Sequence, residues 1–205
     1  MHAIIIHGMG RTPLSMCLLA VRLRAAGIKS SLFAYTVTFE SWANCTSRLH
    51  QFIARKADDE EFIVIAHSLG TVLSRAVLPT ITNKPVACFF LAPPTKACDA
   101  ARRLASNCWY RWFSGEMGQL LANQAFMESL PVPDVSTKIY AGDAGLTGRY
   151  SPFGNAPNDG ILTVNETLLP DVPHQVVPSW HTFIMNNRLI TKDIIKIIGS
   201  RKYPS

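Results

Sequence analysis

No stretch of this 205-residue sequence reads as a transmembrane segment. The apolar stretch from Leu14 to Ala26 is broken by Arg22 and Arg24 and is too short to cross a bilayer. A Lys/Arg-rich block is also missing. The formal charge of +6 and pI near 9.2 therefore read as a basic solvated surface, and no nucleic-acid partner is expected. Cysteine is scarce: Cys17, Cys45, Cys88, Cys98 and Cys108 are scattered and odd in number. They form no C-x-x-C pair and no Cys/His cluster, which excludes a disulfide framework or zinc site and leaves reduced, partly buried thiols. The amino terminus lacks the charged and long apolar regions of a signal peptide, and Met1 to Gly8 enters a core strand at once. Both features predict a cytoplasmic protein. Neither an internal repeat nor a linker divides the chain. With 48% apolar and 17% charged residues, the expectation is one folded domain over 1–205 with a substantial core.

What is present is alternation. Apolar runs at Ala3–His7, Ser31–Val37, Phe62–Ala66, Val86–Leu91, Lys138–Ala141 and His174–Val177 read as strands. Most are continuous Val/Ile/Phe runs, as strands buried on both faces should be. Helical patterns lie between or after them, at about 14–26, 41–56, 69–78 and 183–198. Trp42, Cys45, Leu49, Phe52 and Ile53 share one face of the second and read as core. This is an α/β pattern with a mainly parallel sheet of about six strands and helices on both faces. Two segments depart from it. Pro93 to Pro131 is a long insertion, and Gly142 to Gly160 is a Gly/Pro/Asn-rich loop long enough to suspect function.

The strand Phe62–Ala66 runs into Ala66-His67-Ser68-Leu69-Gly70, and a helix follows. A sharp strand-to-helix turn with small residues on both sides lifts a serine hydroxyl above the sheet. Ala66 stands where glycine is usual, and alanine serves. In a parallel sheet, catalytic groups gather beyond the carboxyl ends of the strands. There the first strand ends in His7-Gly8-Met9-Gly10, whose turn can aim the Met9 N–H at the serine. The Leu69 N–H is a second candidate donor for an oxyanion, and one such donor is typically worth about 3 kcal/mol. His7 is assigned to shaping this loop, and His67 to orienting the serine turn. A carboxylate is expected late in the chain. Asp143 directly follows the fifth strand, but Asp159, in Asn158-Asp159-Gly160-Ile161, is the stronger candidate because Asp-Gly before an apolar run can aim back at the sheet edge. Helix capping is the structural role open to it. Among histidines, His181 lies just past the last strand, where an imidazole can reach a neighbouring strand's serine. His174 opens that strand at the wrong end, and His2 and His50 have no comparable position.

The order Ser68, Asp159, His181, with Ile4-Ile5-Ile6-His7-Gly8-Met9-Gly10 and the serine turn, resembles the α/β-hydrolase superfamily, in its small lipase/esterase-like form. The motifs span nearly the whole chain. The resemblance implies a minimal α/β-hydrolase fold lacking the amino-terminal strand pair of larger relatives. It also implies Ser68 as nucleophile, His181 as general base and Asp159 as its orienter. No metal or organic cofactor is needed for such chemistry. The insertion at about 93–131 lies where relatives carry a cap, so Trp109, Trp112 and Phe113 are expected to contact substrate, with Arg102, Arg103 and Arg111 beside them. The expected substrate is a small-molecule ester of a short or medium acyl chain. An acyl thioester is the alternative, and a non-catalytic binding module on the same scaffold is another. Membrane contact through the cap is a lesser expectation.

Overall fold

A computed structural model describes residues 1–57, 60–97, 108–149 and 151–202, with the side chains of 108–114 and 201–202 outside that description. Six strands form one sheet: β1 (His2–Ile6), β2 (Lys29–Phe33), β3 (Phe62–His67), β4 (Ala87–Leu91), β5 (Thr137–Gly142) and β6 (His174–Val177). Their order is β2-β1-β3-β4-β5-β6, and every neighbouring pair is parallel. The winding reverses between β1 and β3, so the crevice beyond their carboxyl ends is the topological switch point where open α/β sheets bind ligands.

The apolar runs are continuous because both faces of the sheet are covered. Ile4, Ile6, Val64, Ala66, Cys88 and Phe90 pack on one face with α2 (Trp42–Lys56) and α3 (Leu69–Val77). Ala3, Ile5, Ile63, Ile65, Phe89 and Tyr140 fill the other, against α1 (Cys17–Ala25) and the last helix, Arg188–Lys202. In α2, Cys45, Leu49 and Ile53 are buried and Trp42 and Phe52 pack partly against the same core, as their spacing predicts.

The first helical pattern opens as a 3-10 turn, Pro13–Met16, before α1, and two further ends depart from expectation. β2 stops at Phe33 instead of continuing to Val37. Tyr35 leaves the ladder because its hydroxyl donates to the His7 carbonyl at 2.9 Å and its ring stacks on His7 at 4.3 Å. The final helical pattern is split. A 3-10 turn covers His181–Asn186, and the α-helix starts only after Asn187, whose Oδ1 accepts the Leu189 N–H at 2.9 Å. That is an N-cap, and the α-helix begins from it.

Within the 93–131 insertion lie α4 (Cys108–Ala122), broken by a kink at Gly115 (φ 55°), and α5 (Gln124–Ser129), which makes the last helix α6. Residues 98–107 are outside the described part. The carbonyls that close the insertion, Leu130 and Pro131, both accept from the buried Arg75 guanidinium on α3. Among the described residues, no helix is long and apolar enough to cross a membrane.

Candidate active site

β3 delivers Ser68 to the switch point through a backbone kink. Ser68 has φ 50° and ψ −122°, a conformation that costs a residue with a Cβ about 1–3 kcal/mol. The surroundings over-determine it. The Ser68 N–H donates to the Leu91 carbonyl at 3.0 Å, and its own carbonyl accepts from the Thr71 N–H at 2.9 Å and hydroxyl at 2.7 Å. Small flanks are a steric requirement. A Cβ at position 70 would lie 2.6 Å from the His7 carbonyl oxygen and 2.9 Å from that of Ile6.

Asp159 is held by the loop that follows β5. Asn158 is fully buried and staples that loop: its Nδ2 donates to the Leu146 and Ala156 carbonyls, each at 2.9 Å, and its Oδ1 accepts the Gly160 N–H at 2.9 Å. Asp159 Oδ1 then accepts the N–H groups of Ile161 at 3.0 Å and Leu162 at 2.7 Å. This is a turn rather than a helix cap. The following 3-10 turn, Val164–Thr167, is capped by Thr163 and Glu166 instead. With Oδ1 occupied, Oδ2 is free to face His181.

His181 follows β6, and its N–H donates to the Asp159 carbonyl at 2.9 Å. Its Nδ1 lies 2.7 Å from Asp159 Oδ2 and its Nε2 3.0 Å from Ser68 Oγ. Since a carboxylate only accepts, Nδ1 carries the proton and Nε2 presents a lone pair to the serine hydroxyl. Asp159 is 1% exposed and His181 8%, so this relay is shielded from water, whereas Ser68 is half-buried and reachable. The arrangement can draw the hydroxyl proton onto His181 while Asp159 fixes the ring's tautomer.

The structure leaves the other candidates outside. Asp143 is exposed just past β5, and His174 is exposed at the opposite end of β6. His2 bonds Ser31, and His50 faces the Thr80 carbonyl. His7 Nδ1–H donates to the Gly8 carbonyl at 2.9 Å within the loop, and burial lowers its pKa. His67 reaches further than its sequence position suggests, since its Nε2 lies 3.0 Å from the His181 carbonyl. Burial foremost, then the nearby His181, push its pKa well down.

Met9 follows β1 at the switch point, and Leu69 opens α3. The Leu69 N–H therefore has no intrahelical acceptor and sits at the electropositive helix end. A cleft of about 460 Å³ opens beside this loop, between His7–Pro13 and Ala34–Glu40. A larger cavity, about 570 Å³, lies among His50, Glu61 and Lys84 at the amino ends of β3 and β4, away from Ser68. The side chains of Trp109, Trp112 and Phe113 lie outside the described residues. Sequence reasoning missed Asn158 and Tyr35. An Asn directly before Asp-Gly was the available signal for the first, and Tyr35 gave none.

No family profile matches this sequence, and no curated protein matches it closely enough to carry an argument. Solved structures do. The chain is similar to the mature form of the Bacillus licheniformis lipase BlEst2, at 16% identity and a TM-score of 0.70, over 96% of this chain and 91% of that one. It is similar to a Xanthomonas campestris protein assigned to hydrolases of the alpha/beta superfamily, at 14% identity and a TM-score of 0.64, over 97% and 98%. A metagenomic carboxyl esterase matches at 14% identity and a TM-score of 0.67, over 98% of this chain and 76% of its own. At these identities the likeness establishes the fold. The chain has the α/β-hydrolase fold, in a compact version built on six parallel strands.

Proposed function

We propose that this protein is a serine hydrolase that cleaves carboxylic esters of short or medium acyl chains. The observation that carries the reading is the continuous relay from Asp159 Oδ2 through His181 to Ser68 Oγ, at 2.7 and 3.0 Å. A serine hydroxyl is a weak nucleophile at neutral pH, so His181 accepts its proton as Ser68 attacks the ester carbonyl. Asp159 holds the imidazole tautomer and stabilises the imidazolium. The Met9 and Leu69 N–H groups bind the developing oxyanion. His181 then protonates the departing alcohol, and water hydrolyses the acyl-enzyme by the same route in reverse.

An apolar substrate fits the rim. Leu14, Phe39, Leu146, Ile161, Trp180 and Phe183 are large and exposed, and all lie in segments that follow strands at the carboxyl edge. The short-chain preference rests on reading the 93–131 insertion as a short cap that carries no long apolar extension. A cytoplasmic setting accords with the free thiols of Cys17, Cys45 and Cys88.

The deciding experiment is labelling by a fluorophosphonate, comparing wild type, Ser68→Ala and heat-denatured protein. Labelling that needs both the fold and Ser68 supports an activated serine. No labelling of folded wild type would overturn the reading. Turnover of p-nitrophenyl esters then sets the acyl range, and rates rising steadily from short through long chains would sink the preference proposed.

A further inference from the structure

His67 touches three parts of the site at once. It precedes Ser68 in the chain, so its ring is rooted in the kinked turn. Its Nε2 lies 3.0 Å from the His181 carbonyl oxygen, which can only accept, so Nε2 carries the proton. Its other nitrogen, Nδ1, is buried and has no hydrogen-bond partner among the described residues. That edge lies against the loop after β1: a Cβ at position 8 would stand 2.7 Å from Nδ1 and 3.0 Å from the Ser68 Cβ. A glycine at position 8 is therefore what lets ring, loop and serine close up.

The main chain of His181 is consequently clamped on both sides, at its N–H and at its carbonyl. Asp159 holds its N–H through the acid's own backbone carbonyl, and His67 holds its carbonyl. The second clamp originates one residue from Ser68, so the base is referenced directly to the nucleophile rather than through the sheet. Leaving a buried nitrogen unpaired costs free energy, and an apolar ring would avoid that cost. An apolar ring would also lack the donor. The titratable groups facing His67 are His181 from the loop after β6, and His7 and Arg11 from the loop after β1, each of which is cationic when charged. The ring centroids of His67 and His181 are 5.0 Å apart, so a charged His67 would oppose an imidazolium at His181.

We infer that His67 is a positioning residue, which as a neutral ring protonated at Nε2 sets the distance between His181 and Ser68 and packs the Met9 loop against them. The inference rests on the relay reading above.

Two amides separate its role from mere packing. Glutamine can place a donor where Nε2 stands, and asparagine only where Nδ1 stands. With p-nitrophenyl butyrate as substrate, His67→Asn should lower kcat about 10- to 100-fold with KM within about threefold, because a small misplacement of reacting groups costs that much. His67→Gln should recover most of the rate. The inference is overturned if His67→Asn keeps wild-type kcat, or if His67→Gln falls as far as His67→Asn. Nitrogen-15 NMR of the wild-type protein tests it without a variant. The expected signature is a slowly exchanging Nε2–H on an imidazole that stays neutral well below the ordinary histidine pKa of about 6.5. An Nδ1–H tautomer, or titration near that value, would overturn it. Ser68→Ala, assayed in parallel, keeps the two readings apart. A kcat in that variant within about 100-fold of wild type defeats the nucleophile assignment, while the His67 tautomer stands or falls by itself.

Discussion

Ser68 is where function and stability pull apart. Its φ of 50° suits glycine, yet the chemistry proposed needs a hydroxyl there. Ser68→Ala should lower kcat about 10⁴- to 10⁶-fold while leaving stability nearly unchanged, because alanine keeps the Cβ and hence the strain. Ser68→Gly should be equally inactive but more stable, by about 1 kcal/mol in urea unfolding. If glycine gave no gain over alanine, the turn would not be storing strain. The two carboxylates divide as sharply. Asp159 is buried with three accepted contacts, from Ile161, Leu162 and His181, whereas Asp143 is exposed. Asp159→Asn should therefore cut kcat about 10³-fold or more by disturbing the imidazole tautomer, and Asp143→Asn should leave it within about twofold. A larger loss at Asp143 would mean that the wrong acid has been assigned.

Among the elements, α3 anchors both the serine turn and the insertion. Arg75 donates from its Nε to the Pro131 carbonyl at 2.9 Å and from Nη2 to that of Leu130, and burial lowers its pKa to about 10. Arg75→Met should destabilise the fold by about 2–3 kcal/mol in urea, since charge-assisted bonds to two carbonyls are lost. A change under about 0.5 kcal/mol would show that the insertion is fastened elsewhere. The sequence carried the six strands plainly because burial on both faces makes each an uninterrupted apolar run, and the α2 stripe was equally plain. It did not carry the end of β2 or the restart at Asn187. Thr-Val-Thr after Tyr35 has strand propensity, but the Tyr35–His7 contact, the Arg48 bond to the Ala34 carbonyl and the Thr36 N–H bond to Glu40 hold the chain off the sheet. The constellation was legible for a related reason: Ser68, Asp159 and His181 each stand in a short turn just past a strand or its loop, where local signals accumulate. The His67–His181 bond joins residues 114 apart and leaves no trace in any local pattern.

At the scale of the whole molecule, the fold resists charging three of its histidines. His2, His7 and His67 all have lowered pKa values, in each case chiefly through burial. A folded-state pKa below the unfolded one means that the unfolded chain binds more protons in that range, so stability rises with pH there. The contribution of these groups is fully present above the unfolded histidine pKa, about 6.5, and is lost as pH falls from that value through the folded pKa values. The carboxylates act in a different window. Asp193, bonded by Lys138 and Tyr140, and Glu60, paired with Lys29, have lowered pKa values, so their contribution disappears only in the carboxylate range, below about 4.5. Between pH 7 and 5 the histidines should therefore dominate, and the unfolding free energy should fall steadily on acidification. Urea titrations at closely spaced pH values measure that slope directly. His67→Gln should flatten it by removing one proton-binding site from the unfolded chain. A free energy that is flat or rises between pH 7 and 5 would show that these buried rings accept protons without opening the fold.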